Sequence, residues 1–278
     1  MSRRQRMMTK LARYRDVRSL LLAMKNMALM EIHKLGSQIE RQTRLLDTVA
    51  QVSADYACFY PLPEQAGPEV CIVLGAERGF CGDFNAELVA TLEPVRTDQM
   101  QILVVGRRLA YRFPDQGTFA NIAGATVTEE IPRILEQVAL WLEKTQGTTR
   151  DLPMHVKILY QDEMAGHPVF KTILPLPVSD QKGPSPYTCR PHMTLDPVDF
   201  LAALEEQALL LSLEGYATLS LAAENRRRLD HMASALNRLD ETMDDLTRKM
   251  NRARQEDIIE EIETIMLGRD GFCGGGNI

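Results

Sequence analysis

The segment Val73-Leu-Gly-Ala-Glu-Arg-Gly-Phe-Cys-Gly-Asp-Phe-Asn85 gathers most of the residue types here that could do chemistry. Glycines after an apolar run can let backbone amides cradle a phosphate. The spacing is neither Gly-x-Gly-x-x-Gly nor the phosphate loop that ends in Lys-Ser/Thr. A tight turn explains the same glycines equally well. Cys81 would need a base to act as a nucleophile. The five histidines, His33, His155, His167, His192 and His231, stand in no pattern that links one of them to it. Glu77 and Asp83 are a conceivable carboxylate pair, but nothing in the sequence sets their distance. No His-Glu-x-x-His or comparable metal motif occurs. Cys58, Cys71, Cys81, Cys189 and Cys273 are odd in number, and none are spaced Cys-x-x-Cys. That usage fits a reducing, cytosolic compartment.

Charge narrows the field further. A net charge of −6 argues against a dedicated nucleic-acid binder. Residues 1–18 nevertheless hold Arg3, Arg4, Arg6, Lys10, Arg13, Arg15 and Arg18 against a single acid, Asp16. A basic, amphipathic start suits a targeting peptide, a membrane-surface helix or a helix that meets acidic partner groups. No signal-peptide order follows it, and no run of eighteen apolar residues forms a membrane span.

The elements that carry these residues are marked out by proline. All fourteen prolines lie between Pro61 and Pro197. Before the Gly-rich tail, the flanks hold only Gly36 and Gly215. Proline ends helices and glycine weakens them. The chain therefore divides into an N-terminal coiled-coil helix (1–60), an α/β domain (61–197) and a C-terminal coiled-coil helix with a flexible tail (198–278). At about 1.5 Å per residue, helices over 3–57 and 198–267 run about 80 Å and about 105 Å. A middle domain of this size has a radius of gyration of about 14 Å.

In the last helix Leu229, Met232, Leu236, Leu239, Met243, Leu246, Met250 and Ala253 alternate at spacings of three and four. That is a heptad seam. The first helix is looser. Leu21, Met24, Ala28 and Leu35 share a face, later joined by Leu45, Val49 and Val52, while Glu31, Gln38 and Gln42 interrupt it. Connectivity makes the pair antiparallel. The last helix outruns the first by about thirteen residues, or roughly 20 Å. Its far end, 255–267, then lacks a partner yet carries Ile258, Ile259, Ile262, Ile265 and Met266. An apolar stripe without a partner in its own chain predicts one in another.

In the middle, 70–74, 102–105 and 156–160 read as buried strands. A weaker fourth at 172–176 contains Pro175. Helical patterns fill 84–92 and 129–144. The alternation predicts a largely parallel, Rossmann-like sheet, and a Pro-rich loop over 178–197 leads into the last helix.

Four local strings resemble the gamma subunit of F-type ATP synthases, in family order and across nearly the whole chain. Ala23-Met-Lys-Asn-Met-Ala-Leu-Met-Glu-Ile-His-Lys34 resembles the family's AMKMVAAAKLRK. Glu77-Arg-Gly-Phe-Cys-Gly-Asp-Phe-Asn85 is similar to DRGLCGGLN, and Ile173-Leu-Pro-Leu-Pro177 to LLPLP. Asn251-Arg-Ala-Arg-Gln-Glu-Asp-Ile-Ile-Glu-Glu-Ile262 is similar to YNKARQAxITxEIxEI.

The resemblance implies a central rotor shaft of a rotary ATPase. It implies terminal helices inside a ring of three alpha and three beta subunits, and an α/β domain against the epsilon subunit and the c-ring. It implies no cofactor on this chain, with ATP and magnesium on the partner subunits. It implies membrane contact only through the complex, at the cytoplasmic face of a bacterial inner membrane. By residue, it points to Met24, Arg228, Arg254 and Gln255 as contacts with the ring, and it gives the apolar tip at Ile258 and Ile262 a host.

The departures fall mainly on those ring-facing strings. The Thr and Lys that precede Ala-Met are absent. Glu31 stands where a lysine is usual, and Ile259 where a threonine is. The tail Gly268-Arg-Asp-Gly-Phe-Cys-Gly-Gly-Gly-Asn-Ile278 has no counterpart. They suggest a divergent bacterial form, such as one from an alternative, sodium-coupled ATPase. The coupling ion, proton or sodium, is left open. No cysteine-pair insert is present, so no thiol switch is expected. The rival reading is an α/β ligand-binding or enzymatic domain on a coiled-coil dimerisation arm. A membrane-surface protein using its basic N-terminus is a third.

Overall fold

The computed structural model describes residues 3–60, 67–113, 119–146, 154–176 and 192–270. Cys189, Cys273, Pro177 and the tail from 271 onward lie outside them, as does most of the Pro-rich loop. Two helices dominate, α1 (Arg3–Phe59) and α5 (Pro197–Asp270). Pro197 opens α5 at a first-turn position, where its missing N–H costs nothing.

Between them lie β1 (Glu69–Leu74), α2 (Phe84–Leu92), β2 (Gln101–Val105), α3 (Arg107–Ala110), β3 (Phe119–Ile122), α4 (Ile131–Gln146), β4 (His155–Asp162) and β5 (His167–Leu174). The strand order is β3-β2-β1-β4-β5. β1 pairs in parallel with β2 and β4, β2 in parallel with β3, and β4 antiparallel with β5. The Rossmann-like expectation holds, with one antiparallel edge added.

Two strand expectations need correction. β5 begins at His167, five residues before the predicted 172, and Pro175 lies just beyond its end. Its Pro168 is tolerated because β5 is an edge strand. β3 was not foreseen: it has four residues, of which Phe119 alone is fully buried, so it leaves almost no hydrophobic pattern.

The chain forms two compact units, Met1–Met27 with Asp230–Ile278, and Ala28–Leu229. This division differs from the proline-bounded limits 1–60, 61–197 and 198–278. The cause is packing. On one sheet face Val70, Ile72 and Leu74 pack with α4 and with Leu35, Leu213, Ala217 and Leu221 of the long helices. On the other face Cys71 and Val73 pack with Phe84, Leu88, Leu92 and Leu109. The middle of α1 and the first part of α5 thus belong to the sheet's core. Inside this unit Gly215 leaves room for Leu46, whose Cδ1 would lie 3.0 Å from an added Cβ. Leu46 is partly buried there, whereas Leu45 is 44% exposed and does not join the seam as expected. The interrupting residues Glu31 and Gln42 are buried.

In the other unit all the heptad residues from Met232 to Ala253 are buried or half-buried. Arg18 and Asp240 form an ion pair at 2.7 Å. Early α1 therefore meets α5 well past its middle, as an antiparallel pair requires. In the Ala28–Leu229 unit, Tyr56 donates its hydroxyl to the Pro197 carbonyl at 2.9 Å, in the same sense.

Candidate functional site

Open α/β sheets take ligands at the carboxyl ends of their strands, where the strand order reverses. Here the reversal lies between β1 and β4. That crevice is filled by the chain itself. Ser220 on α5 donates its hydroxyl to the Leu74 carbonyl at 3.2 Å. Gln161, at the end of β4, donates to the Phe84 carbonyl at 3.3 Å and to Glu87 at 2.7 Å. Arg227 grips both oxygens of Glu87, at 3.0 and 2.8 Å. Burial works to raise the Glu87 pKa, but Arg227 and Gln161 hold it below its usual range. On the neighbouring side, between the ends of β1 and β2 and α5, a space of only about 30 Å3 remains.

The Gly-bearing loop proves to be a joint rather than a phosphate cradle. The backbone amides of Glu77 and Arg78 help to favour the charged form of the Glu224 carboxylate. Ala76 donates its N–H to Asn85 Oδ1 at 2.9 Å. Glu224 is ion-paired with Arg228 one turn on. Burial pushes the Glu224 carboxyl up to about 7, and Arg228 and the loop amides oppose that rise. Cys81 sits against this pair. Burial raises its thiol to about 11, which keeps it protonated and poorly nucleophilic. Glu77 is held by the N–H groups of Arg107 at 3.0 Å and Gly124 at 2.8 Å; the carboxylate pair with Asp83 is not formed from it.

Gly106 has φ +110, and a Cβ there would lie 2.6 Å from the Gly75 carbonyl oxygen. Only glycine lets the ends of β1 and β2 come this close. Among the described residues no cluster of His, Cys, Asp and Glu could hold a metal ion.

The residues that the resemblance singled out fall into two groups. Arg254, Gln255, Ile258 and Ile262 are exposed on the last turns of α5, and Met24 is half-buried on α1. Ile258, Ile259, Ile262, Ile265 and Met266 are between 45% and 67% exposed. The unpartnered apolar tip expected from the length difference is present in its unit. Arg228 departs from expectation. It is 6% exposed. Its guanidinium reaches Asn225 Oδ1 at 2.8 Å and the Gly79 carbonyl at 3.5 Å, as well as Glu224. It braces the loop and has little surface to offer a partner. Sequence reasoning missed Glu224, Asn85 and Gln161; the i, i+4 spacing of Glu224 and Arg228 was the one local signal. No helix of the described residues is long and apolar enough to cross a membrane.

In one unit α5 packs into the crevice where the strand order reverses, and in the other it ends in an uncovered apolar tip; both features suit a transmission element. A family model described as ATP synthase matches residues 4–271, and the chain belongs to this family, as a gamma-type subunit. It is 28% identical over 213 residues to the ATP synthase gamma chain of Heliobacterium modesticaldum, covering 71% of each chain. It is 23% identical over 274 residues to the gamma chain of Salinibacter ruber, covering 88% of this chain and 85% of that one. Its fold matches a chain of the Euglena gracilis mitochondrial ATP synthase OSCP/F1/c-ring structure. The TM-score is 0.63 at 16% identity, over 99% of this chain and 96% of that chain. A chain of the rotor of the same enzyme matches with a TM-score of 0.57 at 17% identity, over 92% and 98%.

Proposed function

We infer that this chain is the central rotor shaft of a rotary F-type ATP synthase, coupling ion flow in a membrane sector to cycling of the catalytic beta subunits. The observation that carries this reading is the apolar end of α5 over 258–266, left uncovered by its own unit in a chain of the gamma family. Apolar surface of that extent calls for a host, and a ring of alpha and beta subunits supplies one. Arg254, Gln255, Ile258 and Ile262 face that ring at the end of α5, and Met24 meets it from α1. Arg228 is not among these contacts.

The chain carries no catalytic group of its own. ATP and magnesium sit on the partner subunits, and the epsilon subunit and c-ring complete the set. The complex lies at the cytoplasmic face of a bacterial membrane. Weak, distributed ion pairs worth up to about 1 kcal/mol each suit a surface that must slide. Co-expressed with its own alpha and beta subunits, the chain is expected to co-purify at one copy per three beta. Its absence from that complex would sink the reading.

A further inference from the structure

A cleft of about 490 Å3 opens beyond the carboxyl ends of β1, β2 and β3, sharing Gly124 and Ile134 with the small space beside α5. Its lining includes four arginines, Arg78, Arg107, Arg108 and Arg133, against two carboxylates, Glu77 and Glu130. Both carboxylates are already engaged. Glu77 accepts from the Arg107 and Gly124 amides and pairs with Arg107 Nε at 2.8 Å. Glu130 accepts from the Thr126 amide at 2.7 Å and hydroxyl at 2.8 Å. Among the described residues, no carboxylate lies within ion-pair distance of Arg78, Arg108 or Arg133. A second cleft of about 410 Å3 shares Arg107, Tyr111 and Ala123 with the first. Its lining is mixed, with Arg107, Tyr111 and Asn121 alongside Val104, Phe113, Phe119 and Ile122. Tyr111, common to both clefts, is 76% exposed.

We propose that these joined clefts bind an organic polyphosphate, a nucleoside di- or triphosphate. The phosphates lie among Arg78, Arg108 and Arg133, and the ring lies in the second cleft against Tyr111. Among the described residues Arg108 and Arg133 have no carboxylate within ion-pair distance, and Arg78 acts on Glu130 only from beyond it; such guanidinium groups are suited to bidentate phosphate contacts. The volumes fall in the range of small-molecule sites. A cationic cleft joined to a second cleft through an exposed tyrosine ring matches a ligand that carries a polyphosphate and a ring on one molecule, where an acidic peptide would use only the first. The proposal does not depend on the shaft reading.

Calorimetric titration of the purified full-length chain with ATP, pyrophosphate and a glutamate-rich peptide tests it. ATP is expected to bind at least tenfold more tightly than pyrophosphate. The Arg108→Ala/Arg133→Ala double variant is expected to weaken ATP at least tenfold, and Tyr111→Ala to weaken ATP but not pyrophosphate. Arg112→Ala, exposed and outside the lining, is expected to leave ATP binding unchanged. Equal melting temperatures among the variants establish that each folds. No ATP binding at millimolar concentration, or the same loss in Arg112→Ala, overturns the proposal. A glutamate peptide binding as tightly as ATP overturns it in favour of a polypeptide surface.

Discussion

Glu224 and Arg228 stand one turn apart on α5, and both are withdrawn from water. Removing one member of such a pair strands the other charge. Burial raises the Glu224 pKa from 4.5 to about 7. Between those values the folded chain holds a proton that the unfolded chain has released. This contribution to stability is therefore full below about 4.5 and lost as pH rises through about 7. Urea midpoints are expected to fall from pH 5 to pH 8, with a flatter profile in Glu224→Gln. An identical slope in the variant would refute that assignment. Glu31 makes a second case. Its buried carboxylate accepts from the Thr128 amide at 3.3 Å and hydroxyl at 3.2 Å, at the entry to α4. The departure at this position thus has a local use. Glu31→Lys is expected to cost about 1–3 kcal/mol in denaturant unfolding, because it leaves those donors without their acceptor.

At the scale of elements, the two parts of α5 answer to different partners. Met232 is fully buried in the heptad seam. Met232→Ala is expected to cost about 2–5 kcal/mol, as large-to-small changes in packed sites do. The tip behaves in the opposite way. Ile258→Ser with Ile262→Ser removes exposed groups, and surface changes usually stay within about 0.5 kcal/mol. The melting of the isolated chain should hold, while recovery with alpha and beta subunits falls. Unchanged recovery would mean that the tip has no host. Between β1 and β2 the constraint is steric. Gly106→Ala is expected to lower the melting temperature, since the new methyl meets the Gly75 carbonyl at a position already at positive φ.

For the whole molecule, the division into two units matters more than the division by prolines. Ala28–Leu229 contains three hydrophobic clusters and the whole sheet. The other unit is a helix pair with a narrow seam. Local opening follows the density of buried apolar contacts. Amides in 4–27 and 230–266 are therefore expected to exchange faster than those of β1, β2 and β4. Hydrogen-exchange mass spectrometry reads this directly. Equal protection in both units would contradict it. Assembly with a ring is expected to slow exchange at the helix pair first.

Much of this was legible in the sequence because the signals are local. Proline and glycine act on their own neighbourhoods, so their absence marks out α1 and α5. Spacings of three and four gave the seam on α5, and the difference in helix length gave the bare tip. Connectivity made the pair antiparallel. The remainder required the chain to close on itself. No local pattern shows that α5 reaches the Leu74 carbonyl through Ser220, that Glu224 is withdrawn from water, or that Arg228 is buried against Gly79. β3 was too short to carry a period, and Leu46 rather than Leu45 packs because Gly215 opens room for it. Those outcomes depend on which distant surfaces meet, which is set by packing across the sheet and not by the residues next to each position.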